Sequence, residues 1–341
     1  MVPGRSSAAQ AAASSWIDHD QVKLRLVHSG LVDRQDQTLG LEFRLLPSWH
    51  IYWRHPGAAG LAPSLDWRGS RNIAEVELDW PAPRRLSQDG LESFIYEDRV
   101  ILPLRVRLVD PKRAAELRLV VSYGACSSIC IPYQDSVALP LPGAGVATAA
   151  GIDRSDWLRL AKLPQKLTET QAAELSGLAL RPSGEDGVEL TLALSSAAAT
   201  GVTDILVDAP EFPGYGLAPQ FREARGATAV TIPLVGGDAA DWKGRQLTLT
   251  LLRPPGQATV WQGSPPWHES AASPATAPMA LVAMVLLALA GGVILNLMPC
   301  VLPVLSFKIL GAVKLAGHER RTIRRQFLAT AAGIVSSFLA L

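Results

Sequence analysis

At 341 residues the chain is long enough for two or three domains of ordinary size. Its 32 Lys and Arg against 31 Asp and Glu leave a formal charge of +1, which excludes the strongly basic face that phosphate backbones require. Three cysteines are too few for a disulfide scaffold, and 48% apolar against 18% charged residues is an apolar lean that needs a local cause.

Residues 1–15 carry a single Arg and a small-residue stretch with an A-Q-A pattern, without the apolar core of a signal peptide. They read as residual leader or disordered sequence and are set aside. From Trp16 to residue 143 the pattern is β. "VKLRLVHSG", "LGLEFRLLPSWHIYW", "IAEVELDWPAP", "RVILPLRVRLV", "AELRLVVSYG" and "DSVALPLP" alternate apolar and polar residues between Pro, Gly, Asp and Asn clusters. Short strands at this spacing predict an immunoglobulin-like antiparallel β-sandwich over 16–143. Small and polar residues over 144–160 predict a linker running into a short helical stretch, "DWLRLAKLP".

A second β block follows over 161–264, with "LSGLALRPSG", "GVELTLALS", "VTDILVDAPEFPGYG", "ATAVTIPLVGG" and "RQLTLTLLRPPG". It is expected to be a second sandwich. "AEVELDWPAPRRL" with "RVILPLRV" echoes "TDILVDAPEFPGYGLAP" with "AVTIPLV", as a duplicated domain would. Residues 265–278 are rich in Pro, Ala and Ser and predict another linker.

The apolar lean then finds its source. No Asp, Glu, Lys or Arg occurs from Ser270 to Phe307, and a run this long crosses a bilayer, which takes about 20 residues. A transmembrane helix is predicted over 279–305. The loop 306–326 holds Lys308, Lys314, His318, Arg320, Arg321, Arg324 and Arg325 with Glu319 as its one acid, so it is expected on the cytoplasmic side. Residues 16–278 then lie in the periplasm of a bacterial inner membrane. Residues 327–341 start a second span, and a longer multi-pass protein is expected.

Cys126 and Cys130 stand in "YGACSSICIPY", between two strands. Such a pair is a structural disulfide, half of a metal site, or a redox dithiol. A copper site completed by His50 or His55 is one form of the second. Ser127, Ser128 and Ile129 are uncharged, so nothing in the loop itself lowers a thiol pKa. Trp49, Tyr52 and Trp53 read as packing residues, and His50 and His55 as surface or turn residues. Cys300 is bracketed by Pro299 and Pro303 in an apolar run; prolines there free backbone carbonyls, which is tolerated where they pack on protein or line a cavity.

"GGVILNLMPCVLPVLSFKIL" resembles the first transmembrane segment of the DsbD/CcdA class of membrane thiol-disulfide reductases, marked by P-C-x-x-P. "PSWHIYWRHPGAAGLAPSLDW", "WPAPRRL", "YEDRVILPLRV" and the Cys loop before Pro132 are similar to the N-terminal periplasmic domain of DsbD. Two β blocks ahead of the membrane are most similar to the ScsB branch, associated with suppression of copper sensitivity. The resemblance implies a relay without cofactor or metal. Electrons would pass from cytoplasmic thioredoxin to the membrane part, then to the protein's own thioredoxin-like domain, and on to the N-terminal domain. That domain would reduce periplasmic thioredoxin-like substrate proteins. It implies that Cys126 and Cys130 are a catalytic disulfide, with Cys130 in partner exchange, and that Cys300 is the first membrane cysteine. It places an aromatic cap at "DGLESFIYEDR", with Phe94 or Tyr96 covering the disulfide. Copper binding by a periplasmic module on a membrane anchor is the alternative. The three-residue loop is shorter than in the best-known DsbD, so loop geometry and redox potential do not carry over.

Overall fold

Alternating burial along the strands builds the molecule. The computed structural model describes residues 12–32, 36–88, 90–143, 150–184, 187–224, 226–254 and 256–269, with residues 287, 325, 328 and 329. Met1–Ser270 is one compact unit and Ala271–Leu341 another. Apart from Leu287, Arg325, Leu328 and Ala329, the expected spans and basic loop at 279–341, with Pro299, Cys300 and Pro303, lie outside the described residues. Among the described residues no helix is long and apolar enough to cross a membrane.

The first β block holds β1 (Ile17–Asp18), β2 (Val22–Val32), β3 (Asp36–Leu45), β4 (His50–Gly57), β5 (Ser64–Asp66), β6 (Ile73–Leu78), β7 (Arg84–Gln88), β8 (Leu91–Glu97), β9 (Arg99–Leu108), β10 (Ala115–Cys126) and β11 (Cys130–Leu141). A five-stranded sheet runs β1-β2-β3-β9-β6, and a six-stranded one runs β11-β10-β4-β8-β7 with β5 on β10. Each is amphipathic. In β10, Leu117, Leu119, Val121, Tyr123 and Ala125 are buried, and they meet Leu24, Leu41, Phe43, Leu102 and Leu104 of the other sheet in one core. Fully burying such a side chain stabilises by roughly 1.5–3 kcal/mol, so period-2 patterning specifies both register and face.

The short helical stretch expected after the linker forms as α1 (Arg154–Leu160), beginning two residues earlier than "DWLRLAKLP". Its Trp157 and Leu160 pack with Val27 and Ile101 on the outer face of the first sheet. Arg99 donates to both Glu42 and Asp156, tying helix to sheet.

The second block comprises β12 (Gln165–Lys166), α2 (Glu169–Ala173), β13 (Leu175–Ser183), β14 (Gly187–Ser195), α3 (Ser196–Ala199), β15 (Asp204–Ala209), β16 (Phe212–Gly216), β17 (Gln220–Ala224), β18 (Ala227–Val235), α4 (Ala239–Trp242), β19 (Leu247–Arg253) and β20 (Gln257–Gly263). It is one hydrogen-bonded sheet of nine strands, β12-β20-β19-β15-β16-β18-β14-β13 with β17 on β18, where two separate sheets were expected. Leu190 of β14 and Leu249 of β19 share a core around Trp242 although their strands are far apart in the sheet, so the sheet curls over itself. The sequence echo does not extend to pairing. β6 bonds directly to β9, whereas β16 separates β15 from β18.

The blocks are joined by contacts that composition does not signal. Arg54 makes a two-pronged pair with the buried carboxylate of Asp208, at 2.9 and 3.1 Å. Arg85 donates to Asp204, Glu92, Gly216 O and Ile205 O. Tyr215 stacks edge-on against Phe94 at 5.8 Å, and Leu206 and Tyr215 belong to the first block's core.

Candidate functional site

The β10–β11 hairpin places the two sulfurs. Its register runs unbroken from Ala115↔Leu141 to Cys126↔Cys130, so the cysteines face each other at the last rung. Three residues close the turn, with Ser127 N–H donating to Ile129 O at 2.9 Å. The sulfurs are bonded, with the Cα atoms 4.1 Å apart, just under the usual span of a disulfide.

The two sulfurs differ in access. Cys126 is 1% exposed and packs with Tyr52 and Ile95, with Leu86 alongside. Cys130 is exposed, on the edge strand of its sheet, beside Ile129 at 62% exposure. Pro132 follows on the same edge strand, a position where a missing N–H is tolerated.

Register carries the site across the sheet. Cys126 pairs with His50 of β4, and His50 pairs with Glu97 of β8. Paired residues point to the same face, and so do those two positions along. Tyr52 and Ile95 therefore join the cysteines and His50 on the face away from the core. Tyr52 Oη stands 3.7 Å from Cys130 Sγ, and His50 Nε2 stands 3.3 Å from Tyr52 Oη. Glu97 is held by both nitrogens of an Arg84 fork.

Burial governs the titration of Tyr52 and His50, and Arg84 that of Glu97. Burial pushes the Tyr52 phenol up. It lowers His50, with the Glu97 charge working the other way and Arg84 adding to the lowering. Arg84 holds the Glu97 carboxyl below its ordinary range, against a smaller opposing effect of burial. At neutral pH the site thus presents a phenol, a neutral imidazole and a carboxylate in succession.

The structure places neither Phe94 nor Tyr96 over the disulfide. On β8 they alternate with Ile95 and so face the core. Phe94 is fully buried against Trp53 and Tyr215, and Tyr96 donates to Pro81 O at 2.6 Å. The segment over Tyr52 is instead residues 58–61. Leu61 O accepts from Gly124 N–H at 3.1 Å. At Gly60, with φ +127°, a Cβ would lie 2.3 Å from the Tyr52 ring, so only glycine lets the backbone lie on that ring.

Two residues assigned to packing and turns thus stand at the site. Tyr52 touches Cys130, and His50, expected at the surface or in a turn, is 6% exposed on β4. Trp53 is core as expected. His55 faces away, 5.5 Å from the Tyr215 ring, and does not join the cysteines. Among the described residues no group of three or more His, Cys, Asp or Glu side chains is placed to hold a metal ion.

Residues 19–142 match the family model "Thiol:disulfide interchange protein DsbD, N-terminal". No curated protein sequence matches. Among solved structures, the N-terminal periplasmic domain of ScsB from Proteus mirabilis is similar at 22% identity and TM-score 0.57, covering 75% of this chain and 98% of that one. The periplasmic chaperone SfaE, at 11% identity and TM-score 0.17, covers 68% of this chain and 92% of that one. Its likeness is too slight to carry an argument. The ScsB likeness extends the shared fold well beyond residues 19–142 and, at this identity, speaks to fold alone.

Proposed function

We propose, from the match of residues 19–142 to the DsbD N-terminal family model, that this protein is a protein-disulfide reductase acting by dithiol–disulfide exchange at Cys126 and Cys130. The observation that carries this is the disulfide at the exposed end of a hairpin, one sulfur open and one covered. Exchange requires in-line access for a thiolate to one sulfur and a protected second thiolate to resolve the mixed disulfide.

In the reduced domain Cys130 loses its proton, and its thiolate attacks a sulfur of the partner's disulfide. A Cys130–partner bond forms, the partner's S–S bond breaks, and one partner sulfur leaves as thiolate. Cys126 then loses its proton and attacks Cys130 Sγ. The Cys126–Cys130 bond re-forms and the second partner sulfur leaves. Two electrons pass to the partner, and two protons leave the domain. A dithiol donor regenerates the pair by the reverse exchange.

In this proposal residues 16–278 lie in the periplasm, in keeping with the periplasmic domain named for the ScsB relative. Periplasmic thioredoxin-like proteins take the electrons. The protein's own thioredoxin-like domain supplies them, and Cys300 is a membrane station fed from cytoplasmic thioredoxin. The second β block, joined through Arg54, Arg85 and Tyr215, packs behind the strands that carry the site.

Glutathione disulfide tests the division of labour. With Cys126→Ser, Cys130 should accumulate a stable glutathione adduct, read by intact mass after Cys300 is also replaced by Ser. With Cys130→Ser, the buried Cys126 should label far more slowly. Equal labelling at both positions would refute the assignment of Cys130 as the exchanging sulfur.

A further inference from the structure

We propose that Tyr52 and His50 form a proton path from Cys130, in which the Tyr52 hydroxyl passes the thiol proton to His50 and then holds the thiolate. This rests on the exchange reading above and assigns two further residues to it.

The geometry is a chain of three hydrogen-bonding atoms, seen with Cys130 in its disulfide. Tyr52 Oη lies between Cys130 Sγ at 3.7 Å and His50 Nε2 at 3.3 Å, and both intervening side chains are nearly inaccessible, Tyr52 at 4% and His50 at 6%. A phenol is donor and acceptor at once, and a neutral imidazole accepts at one nitrogen. In the thiol form, Cys130 S–H donates to Tyr52 Oη and Tyr52 O–H donates to His50 Nε2. On ionisation each proton moves one place. Tyr52 then donates to the Cys130 thiolate, and His50 Nε2–H donates to Tyr52 Oη. The number of hydrogen bonds is unchanged and only their direction reverses. Thiol, phenol and imidazole become thiolate, phenol and imidazolium, so charge and protons balance.

The groups around His50 suit this role. Its own strand β4 contributes Tyr52. β8 contributes Glu97, whose carboxylate faces the imidazolium that forms. β7 contributes Arg84, which opposes that charge but is itself bound to Glu97. β10 and β11 contribute the two cysteines. Burial keeps His50 neutral at rest, with a nitrogen free to accept, but also disfavours the imidazolium, which the Glu97 carboxylate offsets in part; burial keeps Tyr52 protonated and able to donate. Sequence alone supplies no cation in the Cys126–Cys130 loop; this path is the local source of thiolate stabilisation that the loop lacks.

The test follows Cys130 in the full chain with Cys126→Ala and Cys300→Ser, so that one thiol remains. Its alkylation rate by iodoacetamide is measured against pH, alone and with Tyr52→Phe, His50→Gln or both. Each single variant should move the profile's midpoint upward by about one unit, about tenfold less thiolate at a given pH below it. The double variant should move it no further, because the path is already cut. A midpoint that stays in place while the rate changes equally at every pH would show a purely structural role and overturn the proposal. Additive shifts in the double variant would overturn it too. Failure of the exchange reading is separately visible, because wild-type Cys126–Cys130 would then resist dithiol reduction whatever the state of Tyr52 and His50.

Discussion

Replacing Arg85 by Ala should unfasten the two β blocks from each other. Arg85 is 7% exposed and pairs with Glu92 at 12% and Asp204 at 17%. It also donates to Gly216 O at 3.0 Å and Ile205 O at 3.1 Å, and its guanidinium lies 5.1 Å from the Phe94 ring centre. Truncation removes the cation between two carboxylates, leaving Glu92 with the Ala218 N–H, and takes a donor from two carbonyls. Each hydrogen bond to a charged group contributes about 1.5–3 kcal/mol, but these share one donor group and do not add. Breaking a buried pair costs about 3–5 kcal/mol in sum, a large part of the roughly 5–15 kcal/mol that holds a domain folded. Arg85→Lys keeps the charge and loses the fork, so it should recover only part of the loss. Urea unfolding of the full chain, followed by tryptophan fluorescence, reads the difference as a lower midpoint or as a second transition when the second block melts separately. A loss below about 1 kcal/mol, the worth of an exposed ion pair, would refute the account of a rigid junction.

Gly60→Ala should cost about 1–3 kcal/mol, because φ +127° and a Cβ 2.3 Å from the Tyr52 ring are both unfavourable; the same variant should speed alkylation of Cys126 once the disulfide is reduced, since Tyr52 is part of its cover. His28, His50 and His55 are all held below the ordinary histidine range, chiefly by burial. The unfolded chain therefore binds more protons than the folded one, so their contribution is complete above the ordinary histidine pKa and lost as pH falls through the folded values; the urea midpoint should drop between about pH 7 and 5, and His55→Gln should flatten part of that slope. Burial raises the Glu42 carboxyl, but Arg25, Arg99 and Arg44 outweigh it and the net shift is downward. Glu42 thus stabilises above the ordinary carboxylate range and loses this on acidification, so Glu42→Gln should lower the urea midpoint at neutral pH and narrow its difference from wild type in acid.

Strands buried on one face were legible because period-2 alternation survives in "VKLRLVHSG", "RVILPLRVRLV" and "GVELTLALS". β7 and β17 were not, since "RRLSQ" and "QFREA" are mostly polar, lack apolar alternation and owe their strand state to pairing. The cysteine turn was legible from chain position alone. The neighbours of the disulfide were not, because they depend on which strand lies beside β10. "WHIYWRH" reads equally well as core packing. Only the pairing of His50 with Cys126 reveals that His50 and Tyr52 share the cysteines' face, while Ile51 and Trp53 fill the core. The cap misassignment has the same origin. Phe94 and Tyr96 lie on a strand beside the site, and alternation turns them inward while Ile95 faces the sulfur. The nine-stranded curl of the second block depends on distant strands sharing one core, which local patterning does not encode.

The central claim is that the disulfide of Cys126 and Cys130 cycles. Its most direct test is an equilibrium titration of the full chain against defined dithiothreitol or glutathione ratios, counting free thiols at Cys126 and Cys130 by mass-tagged alkylation. A reversible two-electron transition at roughly −120 to −270 mV, the range of exchange proteins, is the predicted result. A disulfide that stays closed to below about −300 mV, as structural ones do, would contradict the account and leave the hairpin a covalent staple.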